Sequence, residues 1–350
     1  MKANQRQTLR EIEQQIKSAQ KAKNFSDEIE ARGRKVALLT VLQEWAQVVA
    51  ALEPMAQLVA EQGQTHNLAQ ARYAQARALC HLPARYAEAE ARFTEALALY
   101  EEAGDRETPI ALRQHLAGLY VAQGDQDALA RTLADAFARL PTAVSDPIPH
   151  INLYRFRAGC HALLLNFQAA LTDLEQALAL ARQAGDAALL QAVEQQYEAA
   201  THLARGEWSP ELGMFIWPDL PGQPTPSLLA DEDLLKALRL MENGRFRPAF
   251  RLAQQALTNA RHAPDLYRYI RYLLASIILA QLHDQRNQRV EVLTVLLRCK
   301  VFLEMGLGTA IQPYMDQFLE AMTGRWGENG RREAIRAYQE YVAQHGPVQV

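Results

Sequence analysis

Three cysteines in 350 residues, Cys80, Cys160 and Cys299, stand far apart. So few thiols at such spacing make no disulfide framework and fit a reducing cytoplasm. Long hydrophobic runs are missing too. The richest segment, YLLASIILAQL at 272–282, falls well short of the roughly 18 residues a membrane helix needs, and it reads as a buried helix. The polar opening MKANQRQTLREIEQQIKSAQKAKNF has no apolar centre for a secretory leader. A large excess of positive charge is also absent: 37 Lys and Arg stand against 40 Asp and Glu, a net charge of −3, which argues against a generally nucleic-acid-binding surface. Chemical motifs are lacking as well. There is no G-x-x-x-x-G-K-[ST] and no H-E-x-x-H, and GLGTA at 306–310 follows no strand, so it reads as a helix connection. No serine sits in a nucleophile-elbow motif. Cys80-His81 and Cys160-His161 lie eighty residues apart, too far along an extended array to converge on a metal, and read as a small buried slot beside a helix end. The expectation is a chain that is not an enzyme, with no catalytic residues, metal or cofactor.

Glycine is sparse, 17 in all, yet Gly-Asp recurs at 104–105, 124–125 and 185–186. Proline is sparse also, 15 in all, and five of these crowd into 206–233. What is abundant is Ala and Leu, strong helix formers, which with 49% hydrophobic residues favours an all-helical chain.

Self-similarity organises that helix. RYAEAEARFTEALAL (85–99), NFQAALTDLEQALAL (166–180) and RFRPAFRLAQQALTN (245–259) align on Tyr86, Phe167 and Phe246. Each aromatic is followed by a small residue three positions on (Ala89, Ala170, Ala249) and again seven further (Ala96, Ala177, Ala256). Intermediate units place Gln126, Leu129 and Ala136 in the same slots, and another starts near Asn287. Trp208 opens a unit that Pro210 and Pro218 interrupt, and 324–342 is a degenerate last unit. The period is about forty residues, a pair of helices each about half as long. In 167–181 the apolar residues fall at i, i+3, i+4, i+7, one helix face that a neighbouring pair must cover. Gly124 ends a first helix in the left-handed conformation and Asp125 caps the next; Gly104-Asp105 and Gly185-Asp186 differ in that they end second helices, between units.

Leu116-Ala117, Tyr120, Gly124-Asp125 and the aromatic–Ala–Ala ladder resemble the tetratricopeptide repeat, in the extended form of kinesin light chains and bacterial regulatory proteins. The resemblance covers 65–205 and 231–300, and it implies an all-α, right-handed superhelical array of antiparallel helix pairs. It also implies a non-enzymatic scaffold or adaptor that holds a peptide or helix of a partner on a concave surface lined by first helices. In the clearest pair the groove-facing positions would be Ala111, Gln114, Gly118 and Val121.

The expected organisation is N-terminal capping helices or a degenerate repeat (1–64), a repeat array (65–205), a Pro- and aromatic-rich loop or linker (206–230) and C-terminal helix pairs with a basic face (231–345). Residues 1–23 read as a helix with a narrow Leu9, Ile12, Ile16 stripe, either a polar cap or a docking helix. Over 33–62, Pro54 is expected to start a new helix. In the loop, Trp208, Phe215 and Trp217 either pack on the array or contact a ligand.

Between Arg245 and Lys300 there are ten Lys/Arg against three Asp/Glu, and the remainder of the chain is acidic. Arg245, Arg247, Arg251, Arg268 and Arg271, with Tyr269 and Tyr272, form a candidate basic, aromatic face for a protein or peptide partner, an acidic one above all. A solvated helix face with arginine stems lying over Leu and Tyr is the plainer reading and stands ahead of it, nucleic-acid phosphates with bases stacked on tyrosine come last, and a regulatory ligand-sensing module is a further alternative. No membrane partner is expected.

Overall fold

A computed structural model describes residues 3–105, 107–140, 147–205, 232–263 and 266–346. The expected loop at 206–230, with Trp208, Phe215 and Trp217, lies outside the described residues. Among the described residues the fold is all-helical, with no strand. The chain divides into two compact units. The first holds α1 (Ala3–Ala22), α2 (Phe25–Val41), α3 (Trp45–Glu61), α4 (Thr65–Leu79), α5 (Tyr86–Glu102), α6 (Thr108–Gln123) and α7 (Gln126–Ala138). The second holds α8 (Ile148–Leu163), α9 (Phe167–Ala184), α10 (Ala187–Ala204), α11 (Glu232–Glu242), α12 (Phe246–His262), α13 (Arg268–Asp284), α14 (Arg289–Leu307), α15 (Gln312–Gly324) and α16 (Gly327–His345). Helices adjacent in sequence pack against each other from α1 through α7 in the first unit, and from α8 through α10 and α11 through α16 in the second.

The aligned residues mark helix starts. Tyr86, Gln126, Phe167 and Phe246 are the first residues of α5, α7, α9 and α12. Ala89, Ala96, Ala136, Ala170, Ala177, Ala249 and Ala256 are wholly buried. The small side chain at each of these points lets the helix backbones approach closely.

Gly-Asp is one spelling of a more general joint. A residue with positive φ is followed by the next helix's N-cap at Lys23–Asn24, Gln43–Glu44, Gly63–Gln64, Gly124–Asp125, Leu165–Asn166, Gly185–Asp186, Gly244–Arg245 and Asn287–Gln288, while at Gly104–Asp105 the second residue stands two positions before the N-cap, Glu107. In all but the Gly185 turn, the second residue's N–H donates to the carbonyl five positions back, as Asp125 does to Tyr120 at 3.0 Å. That bond occupies a carbonyl the helix end leaves free. Where the cap is Asn24, Asp125, Asn166 or Asp186, its side chain then serves the following helix. Asp125 Oδ1 accepts from the Ala128 N–H at 2.9 Å, and Asp186 Oδ1 from Ala188 and Leu189 at 3.0 Å. Four joints use no glycine. Leu165 accepts the strain while its side chain is almost fully buried, so packing offsets the roughly 1–2 kcal/mol a left-handed residue costs.

The same punctuation extends into residues 1–64. Joints at 23, 43 and 63 keep the step of about twenty. The expected helix start at Pro54 is corrected: Pro54 lies inside α3, and the break comes earlier, at Leu42–Glu44, where Gln43 is left-handed. A turn closed by that residue and the Glu44 N–H ends α2 whatever the proline does. The unit expected near Asn287 begins at Arg289, with Asn287 as its joint residue. On α1, Ile12 and Ile16 are buried against Ala31 and Leu38 of α2.

A second regularity is ionic. Arg72 of α4 contacts Glu53 of α3 at 2.9 Å and Glu95 of α5 at 2.8 Å. Forty-one residues on, Arg113 of α6 contacts Asp135 of α7 at 2.5 Å and Glu101 of α5 at 3.0 Å. Each arginine thus ties its own second helix to the preceding one. Its guanidinium is taken out of water, Arg113 to 6% side-chain exposure, while the acids keep 37–49%. Burial alone would raise the Asp135 carboxyl; hydrogen bonds and charge from Arg113, with help from Arg139, hold it below its ordinary value.

Candidate functional site

α12 buries only alanines, Ala249, Ala253, Ala256 and Ala260. A helix so thin on its packed side lies close to its neighbours and turns its larger residues outward. Arg247, Phe250, Arg251, Gln254, Leu257 and Arg261 recur at helical spacing on that outward stripe. α13 is the opposite: from Tyr269 to Leu282 nearly every residue is buried. It packs against both α12 and α14. Between the two flanking helices a cleft of about 310 Å³ stays open, with Tyr272, Leu279 and His283 of α13 at its base and Tyr341 of α16 at its edge. Phe250 and Leu257 line it from α12; Val290, Thr294, Val295 and Arg298 line it from α14.

Several contacts hold the base still. The Tyr272 ring stacks on Phe302 of α14 at 4.0 Å. Burial, reinforced by Cys299, pushes its phenol up to about 12 against the pull of Arg261 and Arg298, so it presents a neutral hydroxyl. His283 Nδ1 lies 2.9 Å from Gln288 Oε1, an atom that only accepts. Edge-on packing against His283 at 5.1 Å and the Arg286 guanidinium over its face at 5.5 Å fix the Phe250 ring.

The residues singled out from sequence divide by burial. Arg245, Arg247 and Arg251 are exposed on α12. Arg268 and Arg271 are partly buried at the start of α13. Arg268 folds over the neighbouring ring, its guanidinium 4.7 Å from the Tyr269 centroid and donating to the Tyr269 hydroxyl at 2.6 Å. Tyr269 and Tyr272 are 4% and 3% exposed. The expected aromatic part of the face is thereby corrected. Tyr269 fills the space left by Gly306 of α14, where a Cβ would collide with its ring, and Tyr272 packs beneath the cleft. Gly118 and Val121 of α6, two of the groove-facing positions implied by the resemblance, are also buried, whereas Ala111 is exposed.

Sequence reading passed over Arg298, which sits in an apolar stretch, and Phe250 and Leu257. Their signal was the phase of α12 and α14: each carries a polar and apolar mixture on its outward stripe.

The rest of the described surface is plainer. A groove between α1 and α2, about 750 Å³, is walled by polar side chains including Glu11, Asp27 and Glu30. The three thiols are buried, and burial pushes Cys80 and Cys299 up to about 12. His81 stacks on Trp45 at 3.7 Å, and His161 lies 3.8 Å from Asp173, so each is engaged within unit 1 or unit 2 respectively. Among the described residues no cluster of three or more His, Cys, Asp or Glu could hold a metal ion, and no helix is long and apolar enough to cross a membrane. No family model matches the chain, and no curated protein matches it at a significant level.

Proposed function

We propose that this protein is a non-enzymatic interaction scaffold of the tetratricopeptide kind, its helix pairs stacked as a superhelical array that holds a peptide or helix of a partner protein. The observation that carries the reading is the cleft of α12, α13 and α14: a stiff, apolar base with polar rims. Repeat arrays of this kind present long surfaces rather than enclosed pockets, and helix-in-groove binding is the mode that suits such a cleft. The binding surface in this reading lies between two second helices, with a first helix beneath, rather than on first helices alone. Nucleic acid is the weaker reading, because Tyr269 and Tyr272 are interior and offer no face for a base to stack on.

The test is capture from the chain's own cell extract on the immobilised full-length protein, followed by hydrogen exchange of the complex formed with the captured protein. Protection of the exposed rims of α12 and α14 is expected. Capture of nucleic acid only, or no capture, would remove the scaffold reading.

A further inference from the structure

We infer that the groove between α12 and α14 is a docking site for an acidic amphipathic helix about fifteen residues long, which places apolar side chains in the cleft and carboxylates against its arginine rims. This rests on the scaffold reading and assigns its surface and partner chemistry.

Length is the first argument. The cleft-facing stripe of α14 does not stop at Arg298. Val301 and Met305 follow three and seven residues later, in phase with it, and are 37% and 77% exposed. From Val290 to Met305 the stripe spans about 22 Å at about 1.5 Å per residue. An enclosed small molecule would fill the 310 Å³ centre and leave Val301 and Met305 in water. A helix laid along the groove covers both, with anchors at i, i+3 or i+4 and i+7.

Charge is the second argument. Arg298 lines the cleft from α14, and the exposed Arg247 and Arg251 share the outward stripe of α12 with Phe250, Gln254 and Leu257, which line it from that side. Among the described residues none of the three arginines has an ion-pair partner, although arginines such as Arg72, Arg113 and Arg157 are paired within their own unit. Among the described residues Glu291 is the one acid lining the cleft. Arginines flanking an apolar floor, left unpaired in the free chain, suit carboxylates on the polar flanks of a helix and repel a basic one. Arginine is also the charged residue most often found to dominate such interfaces.

The test uses the full-length protein as bait for a displayed library of random 15-residue peptides. Enriched sequences are read, and the tightest are measured by fluorescence anisotropy. Expected are peptides with apolar residues at helical spacing and Asp or Glu between them. Their Kd should weaken at least about tenfold with Arg251→Glu/Arg298→Glu, and binding should fall as salt rises. Both arginines are solvent-exposed, so the double variant keeps its melting temperature, which circular dichroism checks. Peptides without acidic bias, or a preference for basic ones, overturn the inference. If enriched peptides bind the double variant as well as the parent chain, this groove is wrong and the scaffold reading stands. If no peptide is enriched, both fall.

Discussion

Removing either half of the Arg113–Asp135 pair breaks one contact, yet the two removals should differ in cost. Arg113 is the buried partner, at 6% exposure, and its guanidinium donates to Asp135 at 2.5 Å, Glu101 at 3.0 Å and the Pro109 carbonyl at 3.1 Å. Asp135→Ala strands that cation with one acid in place of two. Uncompensated buried charges cost about 3–5 kcal/mol; the remaining Glu101 and the better helix propensity of Ala bring the expected loss to about 2–3 kcal/mol. Arg113→Met removes the desolvated group itself. Its acids are 37% and 49% exposed and keep Arg139, at 2.8 Å from Glu101 and 3.4 Å from Asp135, so their contribution is discounted for screening and the expected loss is about 1 kcal/mol. The double variant should then cost little more than Arg113→Met, giving a coupling of about 2 kcal/mol. Urea unfolding followed by circular dichroism, with the slope checked for constancy, measures all three. A larger loss for Arg113→Met than for Asp135→Ala would refute the reasoning, since it would mean that the ion pair, rather than the stranded charge, dominates.

Four further outcomes follow from the packing. Gly306→Ala should destabilise by about 1–2 kcal/mol in thermal melts, because displacing the Tyr269 ring outweighs the roughly 1 kcal/mol that Ala gains over Gly in a helix. Gln43→Gly should stabilise by up to about 1 kcal/mol, since Gln43 is exposed and left-handed. Leu165→Gly relieves the same strain but should destabilise by about 1–2 kcal/mol, because it gives up a fully buried side chain. The Glu53 carboxyl, which burial alone would raise, is held low by Gln75 and Arg72, and Asp135 is likewise depressed. Depressed carboxyls stabilise the fold above their unfolded values and lose that contribution as pH falls through their folded ones; melting temperature should therefore hold steady above about pH 5 and drop below about pH 4.

Helices and their length were readable wherever small residues recur in phase with an aromatic, as in α5, α9 and α12. The N-terminal joints were not, because Lys23 and Gln43 adopt a left-handed conformation that composition assigns to glycine. Nor were the Arg72 and Arg113 contacts visible, since each partner lies on a neighbouring helix 12 to 23 residues away, and nothing local marks a lone Arg as buried. Basicity located the right segment, 245–300. What it could not supply was direction: Tyr269 and Tyr272 turn inward because Gly306 and Phe302 make room for them, information held on α14 rather than α13.

The repeated turn has a consequence for how such a chain can change. A joint built from one left-handed glycine and one bond five residues back, as at Gly63 and Gly104, is made within the two helix ends it connects. A segment of about forty residues cut at two such joints, for example Gly63 and Gly104, carries matching ends. Copying or excising it leaves every other turn as it was, so only the helix faces on either side of the seam must adjust. A gene built this way can gain or lose whole helix pairs in single steps.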